Sequence, residues 1–184
     1  LGLDPDTFHS CIDDRTYDRL KAYLRRHSEL KVSWSGRQFE TPYETHTYTE
    51  PHSSSFERRV TTLVTPRGEL TSTFLASLHG KPGMQDTYCI KSRDEALAYL
   101  SLPMPQLRGE VTSFLSADAA IGERGIVDVT LGLNPAGHVA SLCGSETFAV
   151  LSVPDRDVLH ALCERQMNII LNTVRFLTER GVGP

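Results

Sequence analysis

Few side chains in this sequence stand in patterns that do chemistry. His9-Ser10-Cys11 places an imidazole and a thiol two residues apart, both zinc-type ligands, but two ligands cannot fill a tetrahedral site and no metal is assigned to this segment. Asp128 is a lone carboxylate inside the otherwise aliphatic run 126–133, where a charge is either satisfied internally or turned toward a ligand. His138, shortly after that run, stands early in a helical stretch, where solvation would also account for it. The patterns Gly-x-Ser-x-Gly, a Gly-rich phosphate loop and His-Glu-x-x-His, which would announce a hydrolase, a nucleotide site or a metalloprotease, do not occur.

Composition narrows the classes further. The chain has 184 residues with 19 Lys+Arg against 23 Asp+Glu, a formal net charge of −4, so no global field draws it to nucleic acid or to anionic lipid. Arg25-Arg26 and Arg58-Arg59 are pairs, far short of a phosphate-binding run. No apolar stretch reaches the length of a membrane span. Cys11, Cys89, Cys143 and Cys163 lie far apart without Cys-x-x-Cys spacing, which predicts reduced thiols and a cytoplasmic setting.

The elements that must position these residues are legible from periodicity. Apolar residues at helical spacing predict an amphipathic surface helix over 14–27. A short strand is expected over 30–34, then an extended Thr- and Tyr-rich stretch over 45–49. The runs 56–65 and 69–77 are rich in Thr, Val, Leu and Phe, and Pro66-Arg67-Gly68 between them predicts a β-hairpin. Ser92 with Glu95 has capping-box spacing and opens a helix ending near Leu100. A helix is expected over 109–123, followed by the strongest strand of the sequence over 126–133. One face of that strand carries Val127, Val129, Leu131 and Leu133, the other Ile126, Asp128, Thr130 and Gly132. A shorter helix over 136–144 precedes a long one over 154–180, with Asp155 and Asp157 at its positive end and Gly181 as its stop. The order predicts an α/β crossover whose next parallel strand would follow Gly181-Val182-Gly183-Pro184.

The segment Arg59-Val60-Thr61-Thr62-Leu63-Val64-Thr65-Pro66-Arg67-Gly68-Glu69-Leu70, with Ile90-Lys91-Ser92-Arg93-Asp94-Glu95 and Leu100-Ser101-Leu102-Pro103 after it, is similar to a hairpin and helix entry of a known superfamily. So are 125–135 and the long helix ending Phe176-Leu177-Thr178-Glu179-Arg180-Gly181-Val182-Gly183-Pro184. Over 56–184 the chain resembles the uroporphyrinogen decarboxylase-like proteins, which include corrinoid-dependent methyltransferases. The resemblance implies a (β/α)8 TIM barrel, here incomplete because such a barrel takes about 250 residues, with an N-terminal β-hairpin extension. It implies one structural unit, in which 1–107 form the helix, strand and hairpin region and 108–184 a βα barrel segment.

In such a barrel the site lies at the C-terminal strand ends. The resemblance therefore points to Trp34, Asn134 and His138 at strand ends, to Asp128 and Thr130 facing inward below them, and to Arg37 as a cation for an acidic substrate. The decarboxylases resembled use an arginine-rich stretch, an Asp after the second strand and a Tyr after the third. Here Val32-Ser33-Trp34-Ser35-Gly36 holds no Asp and 136–143 holds no Tyr. The methyltransferases activate a thiol on zinc held by a His-x-Cys pair and a distant Cys. This segment is expected to hold no cofactor itself, with corrinoid or zinc belonging to the full-length protein and a tetrapyrrole or corrinoid-type molecule as its ligand. The alternative is a binding module without chemistry of its own. In either case an open sheet edge is expected to favour self-association.

Overall fold

A computed structural model describes residues 15–36 and 38–183. In chain order the elements are α1 (Arg15–His27), β1 (Leu30–Trp34), β2 (Gln38–Glu40), β3 (Thr45–Pro51), β4 (Phe56–Thr65), β5 (Gly68–Ser77), β6 (Met84–Thr87), α2 (Arg93–Leu100), β7 (Gln106–Arg108), α3 (Thr112–Ile121), a 3₁₀ turn (Gly122–Arg124), β8 (Gly125–Val129), α4 (Pro135–Leu151) and α5 (Arg156–Thr178). The fold is mixed α/β. Three sheets are present among the described residues: β1 with β8, β2 with β7, and the four-stranded order β3-β4-β5-β6. The chain divides into two interleaved units, one drawing on described residues up to Phe39, on 107–131 and on 173–183, the other on 40–106 and 132–172.

In the first unit β1 and β8 pair in parallel, from Leu30 opposite Gly125 to Trp34 opposite Val129. Side chains alternate across this pair, so Trp34, Val127 and Val129 share one face and pack with Val111, Phe114, Phe176, Leu177 and Val182. Gly125 starts β8 because a Cβ there would stand 2.1 Å from the carbonyl oxygen of Leu30. The strand stops at Val129, four residues short of the stretch expected from the sequence. β1 ends at Trp34, so among the described residues Thr130 and its successors have no strand to pair with, and Gly132 takes a left-handed φ of 94°.

The second unit carries the antiparallel sheet. β4 and β5 form the expected hairpin, closed by Thr65 opposite Gly68. Thr65 Oγ1 donates to the Gly68 carbonyl at 2.7 Å and accepts from the Arg67 N–H at 3.1 Å, while Gly68 supplies the positive φ of 125°. Ser92 caps α2 and accepts from the Glu95 N–H at 3.3 Å. The Glu95 carboxylate returns to the N–H of Lys91, one residue outside the cap, at 2.6 Å. Asn134 caps α4, accepting from the Gly137 N–H at 2.8 Å.

α4 runs on past the expected stop at Gly144 to Leu151, but it breaks there: Gly144 has φ 72° and ψ 162°. The break seats Gly144 against the Tyr88 ring, leaving no room for a side chain. Ile90, Ala96, Val139, Cys143, Leu151, Val158, Leu159 and Leu162 form the core of this unit. Arg93 joins the start of α2 to the start of α5, with Nη1 donating to Asp155 at 2.7 Å and Nη2 to Asp157 at 2.9 Å.

Candidate functional site

The side of the β1–β8 pair opposite the helices carries Lys31, Ser33, Ile126 and Asp128. Lys31 Nζ lies 2.8 Å from Asp128 Oδ2, and Ser33 Oγ donates to Asp128 Oδ1 at 2.7 Å. Both carboxylate oxygens are thereby engaged from the neighbouring strand. Parallel pairing sets this geometry, because Ser33 is directly opposite Asp128 and Lys31 is one same-face position earlier. The Lys31 and Asp128 side chains are 41% and 29% exposed, so a solute can reach both.

Desolvation by itself would raise the Asp128 carboxyl, but the hydrogen bonds from Lys31 and Ser33 outweigh it and hold the group below the usual carboxylate range. A carboxylate so stabilised is a poor general base at neutral pH, which wants a pKa near the working pH. It is a good hydrogen-bond acceptor. Lys31 has three N–H donors, so after serving Asp128 it retains capacity for an anionic group. The cluster can thus hold a molecule that presents an acidic group and an N–H donor a few ångströms apart.

The other sequence-predicted residues lie elsewhere. Trp34 is 8% exposed and sits on the helix-covered face, edge-on to Phe114 at 5.7 Å between ring centres, with Nε1 donating to Ser113 Oγ at 2.8 Å. Thr130 is exposed beyond the end of β8. Asn134 spends its side chain on the α4 cap, and half-buried His138 stands in the next turn, its pKa lowered by desolvation. Trp34, Asp128 and Thr130 belong to the first unit, Asn134 and His138 to the second. Arg37 and the pair His9 and Cys11 lie outside the described residues. Lys31 and Ser33 escaped sequence reasoning, although the alternation of Leu30-Lys31-Val32-Ser33-Trp34 already put both on one face.

Beside β8 a groove of about 490 Å³ is lined by Phe114, Val127, Val129, Leu177 and Val182, with Asp118 among its few polar groups. Among the described residues no group of three or more His, Cys, Asp or Glu side chains could hold a metal ion. The zinc of the resembled methyltransferases therefore finds no fitting ligand set in them. No helix among the described residues is long and apolar enough to cross a membrane.

In the second unit, Arg165 donates to the carbonyls of Leu102 and Pro103, each at 2.8 Å, and lies 5.8 Å above the Tyr99 ring. Burial pushes the Tyr99 hydroxyl up to about 12. This cluster holds the turn after α2, a structural use of a cation. Compared with family models, with curated proteins and with solved structures, the chain matches none.

Proposed function

We propose that the chain is the N-terminal portion of a uroporphyrinogen decarboxylase-like barrel protein, and that the Lys31–Ser33–Asp128 face contributes to a pocket for a carboxylated tetrapyrrole or corrinoid. The whole protein would perform decarboxylase-like chemistry or corrinoid-dependent methyl transfer. The observation that carries the reading is the division of the β1–β8 pair into an apolar face under helices and an opposite face bearing a charged, hydrogen-bonded cluster, as a barrel strand divides between its shell and its lumen. The apolar groove beside β8 supports it, since a further parallel strand would cover such a surface. A tetrapyrrole fits the cluster chemically: its carboxylates suit Lys31, and its pyrrole N–H groups suit the Asp128 acceptor.

The test is a fluorescence titration of the chain with uroporphyrin and an absorbance titration with cobyrinic acid, a corrinoid with free carboxylates, repeated with Lys31→Met and Asp128→Asn. Saturable binding of one ligand, weakened about tenfold by either change, is the expected result, equivalent to about 1.4 kcal/mol. Binding that ignores both substitutions, or no binding of either ligand, would remove the assignment.

A second reading, a binding module without chemistry, is favoured by one feature. Asp128, the carboxylate to which the Ser33 hydroxyl donates, is held in its charged, weakly basic state, which makes it a poor base for activating that hydroxyl. Turnover of porphyrinogen or of a methyl-corrinoid by the chain itself would eliminate it.

A further inference from the structure

β3 pairs only with β4, so among the described residues its other side is an open sheet edge. The Val64 N–H donates to the Glu44 carbonyl at 3.0 Å. In an antiparallel ladder alternate residues turn both main-chain groups toward the partner. His46, Tyr48 and Glu50 therefore serve β4, while the N–H and C=O groups of Thr45, Thr47 and Thr49 point outward. Pro51 falls in the outward set, where its missing N–H costs the ladder nothing.

The opposite edge of the sheet is more fully guarded than this one, where only Glu50 and Pro51 at the end of the strand oppose pairing. β6 is four residues long, carries Asp86, and meets β5 through a register shift at Thr73/Phe74. Short length, charge and irregular register are the usual guards against edge pairing. β3 has seven residues in unbroken register, no Lys or Arg, and is exposed at every position except the intermediate Glu50. Its Thr and Tyr content suits extended pairing.

We propose that β3 is a homodimer interface, in which two copies pair this strand antiparallel about a two-fold axis at Tyr48 and merge their four-stranded sheets into one. The sequence of the edge selects this register. With Tyr48 opposite Tyr48, His46 of each copy faces Glu50 of the other, and the outward groups of Thr47 meet those of Thr49 in hydrogen-bonded pairs. Thr45 then donates to the carbonyl of Pro51, so the residue without an N–H sits where only its acceptor is needed. A shift of one residue would oppose outward-facing to inward-facing groups. A shift that restores their parity sets Tyr48 against His46 or Glu50 and separates His46 from Glu50, one of whose carboxylate oxygens already takes Arg58 at 3.3 Å within its own copy. The Thr side chains continue on the other face a ladder already present within the copy, where Thr47 and Thr61 hydroxyls are 3.3 Å apart. This inference is independent of the tetrapyrrole reading.

Sedimentation equilibrium on the chain, with Thr47→Pro and three cysteine variants, tests it. Thr47→Pro removes an outward N–H that β4 does not use. It should preserve the far-ultraviolet circular dichroism while weakening dimerisation by about tenfold or more. Tyr48→Cys places two thiols at a facing, non-hydrogen-bonded pair about 4.5 Å apart at Cα, within disulfide reach. Air oxidation catalysed by copper–phenanthroline should link it into a covalent dimer above the background of the unsubstituted chain. His46→Cys alone should not link, but should do so when mixed with Glu50→Cys. A chain that stays monomeric at its highest soluble concentration overturns the proposal and leaves the edge to another partner. So does a dimer that Tyr48→Cys does not link, which would place the interface elsewhere.

Discussion

Lys31 and Asp128 meet across two parallel strands, with the ammonium nitrogen 2.8 Å from a carboxylate oxygen and the Ser33 hydroxyl closing on the other oxygen at 2.7 Å. This pairing turns a lone acidic residue in an aliphatic strand into a fixed, charged acceptor on an accessible face.

Lys31→Met should raise the Asp128 carboxyl toward its ordinary value, read as the midpoint of its side-chain carbon shift in a pH titration by NMR. A folded-state pKa held low contributes stability that is present above the unfolded value, about 4, and is lost as pH falls through the folded one. The wild type should therefore lose stability relative to Lys31→Met only below about pH 4. The partly exposed pair limits the difference at pH 7 to about 0.5 kcal/mol, measurable by urea denaturation.

Gly144 combines a φ of 72° with a Tyr88 ring carbon 2.4 Å from the place a Cβ would occupy. Gly144→Ala meets backbone strain and overpacking together and should cost about 3 kcal/mol or more. Gly181 has a φ of 78° with nothing within 4 Å, so Gly181→Ala should cost only about 1 kcal/mol. Urea unfolding of the two variants reads the contrast. Equal losses would show that the Tyr88 contact is not rigid.

Cys143 is buried in the core of the second unit, and burial, reinforced by the neighbouring Cys89 and Cys163 thiols, pushes it up to about 11. At pH 8 only about one part in a thousand would be thiolate. Iodoacetamide labelling followed site by site by mass spectrometry should modify Cys163, which is partly exposed, well before Cys143. Denaturation should abolish the difference.

Trp34 is the single tryptophan, so its fluorescence reports the β1–β8 unit alone. Native emission should lie to the blue and shift red on unfolding. Trp34→Ala should destabilise the chain by about 3–5 kcal/mol through the cavity left against Phe114. It should leave ligand binding at Lys31 and Asp128 intact under conditions where the variant is folded.

The amino-acid sequence by itself determined the elements whose signals are local. Alternating β-branched residues around Pro66-Arg67-Gly68 specify the β4–β5 hairpin, Ser92 and Glu95 specify the start of α2, and the apolar stripe ending at Gly181 specifies α5, because each signal is complete within one turn or one period. It also placed Asp128 on the less aliphatic side of its strand. Tertiary structure alone decided what that side meets. Ser33 and Asp128 are 95 residues apart in sequence, and nothing in either strand's periodicity encodes that they pair, in parallel, in this register. The same pairing ends β8 at Val129, since a strand lasts only as long as its partner. It also sends Trp34 beneath the helices while Lys31 and Ser33 face the other way, because a strand can turn its side chains to only two sides.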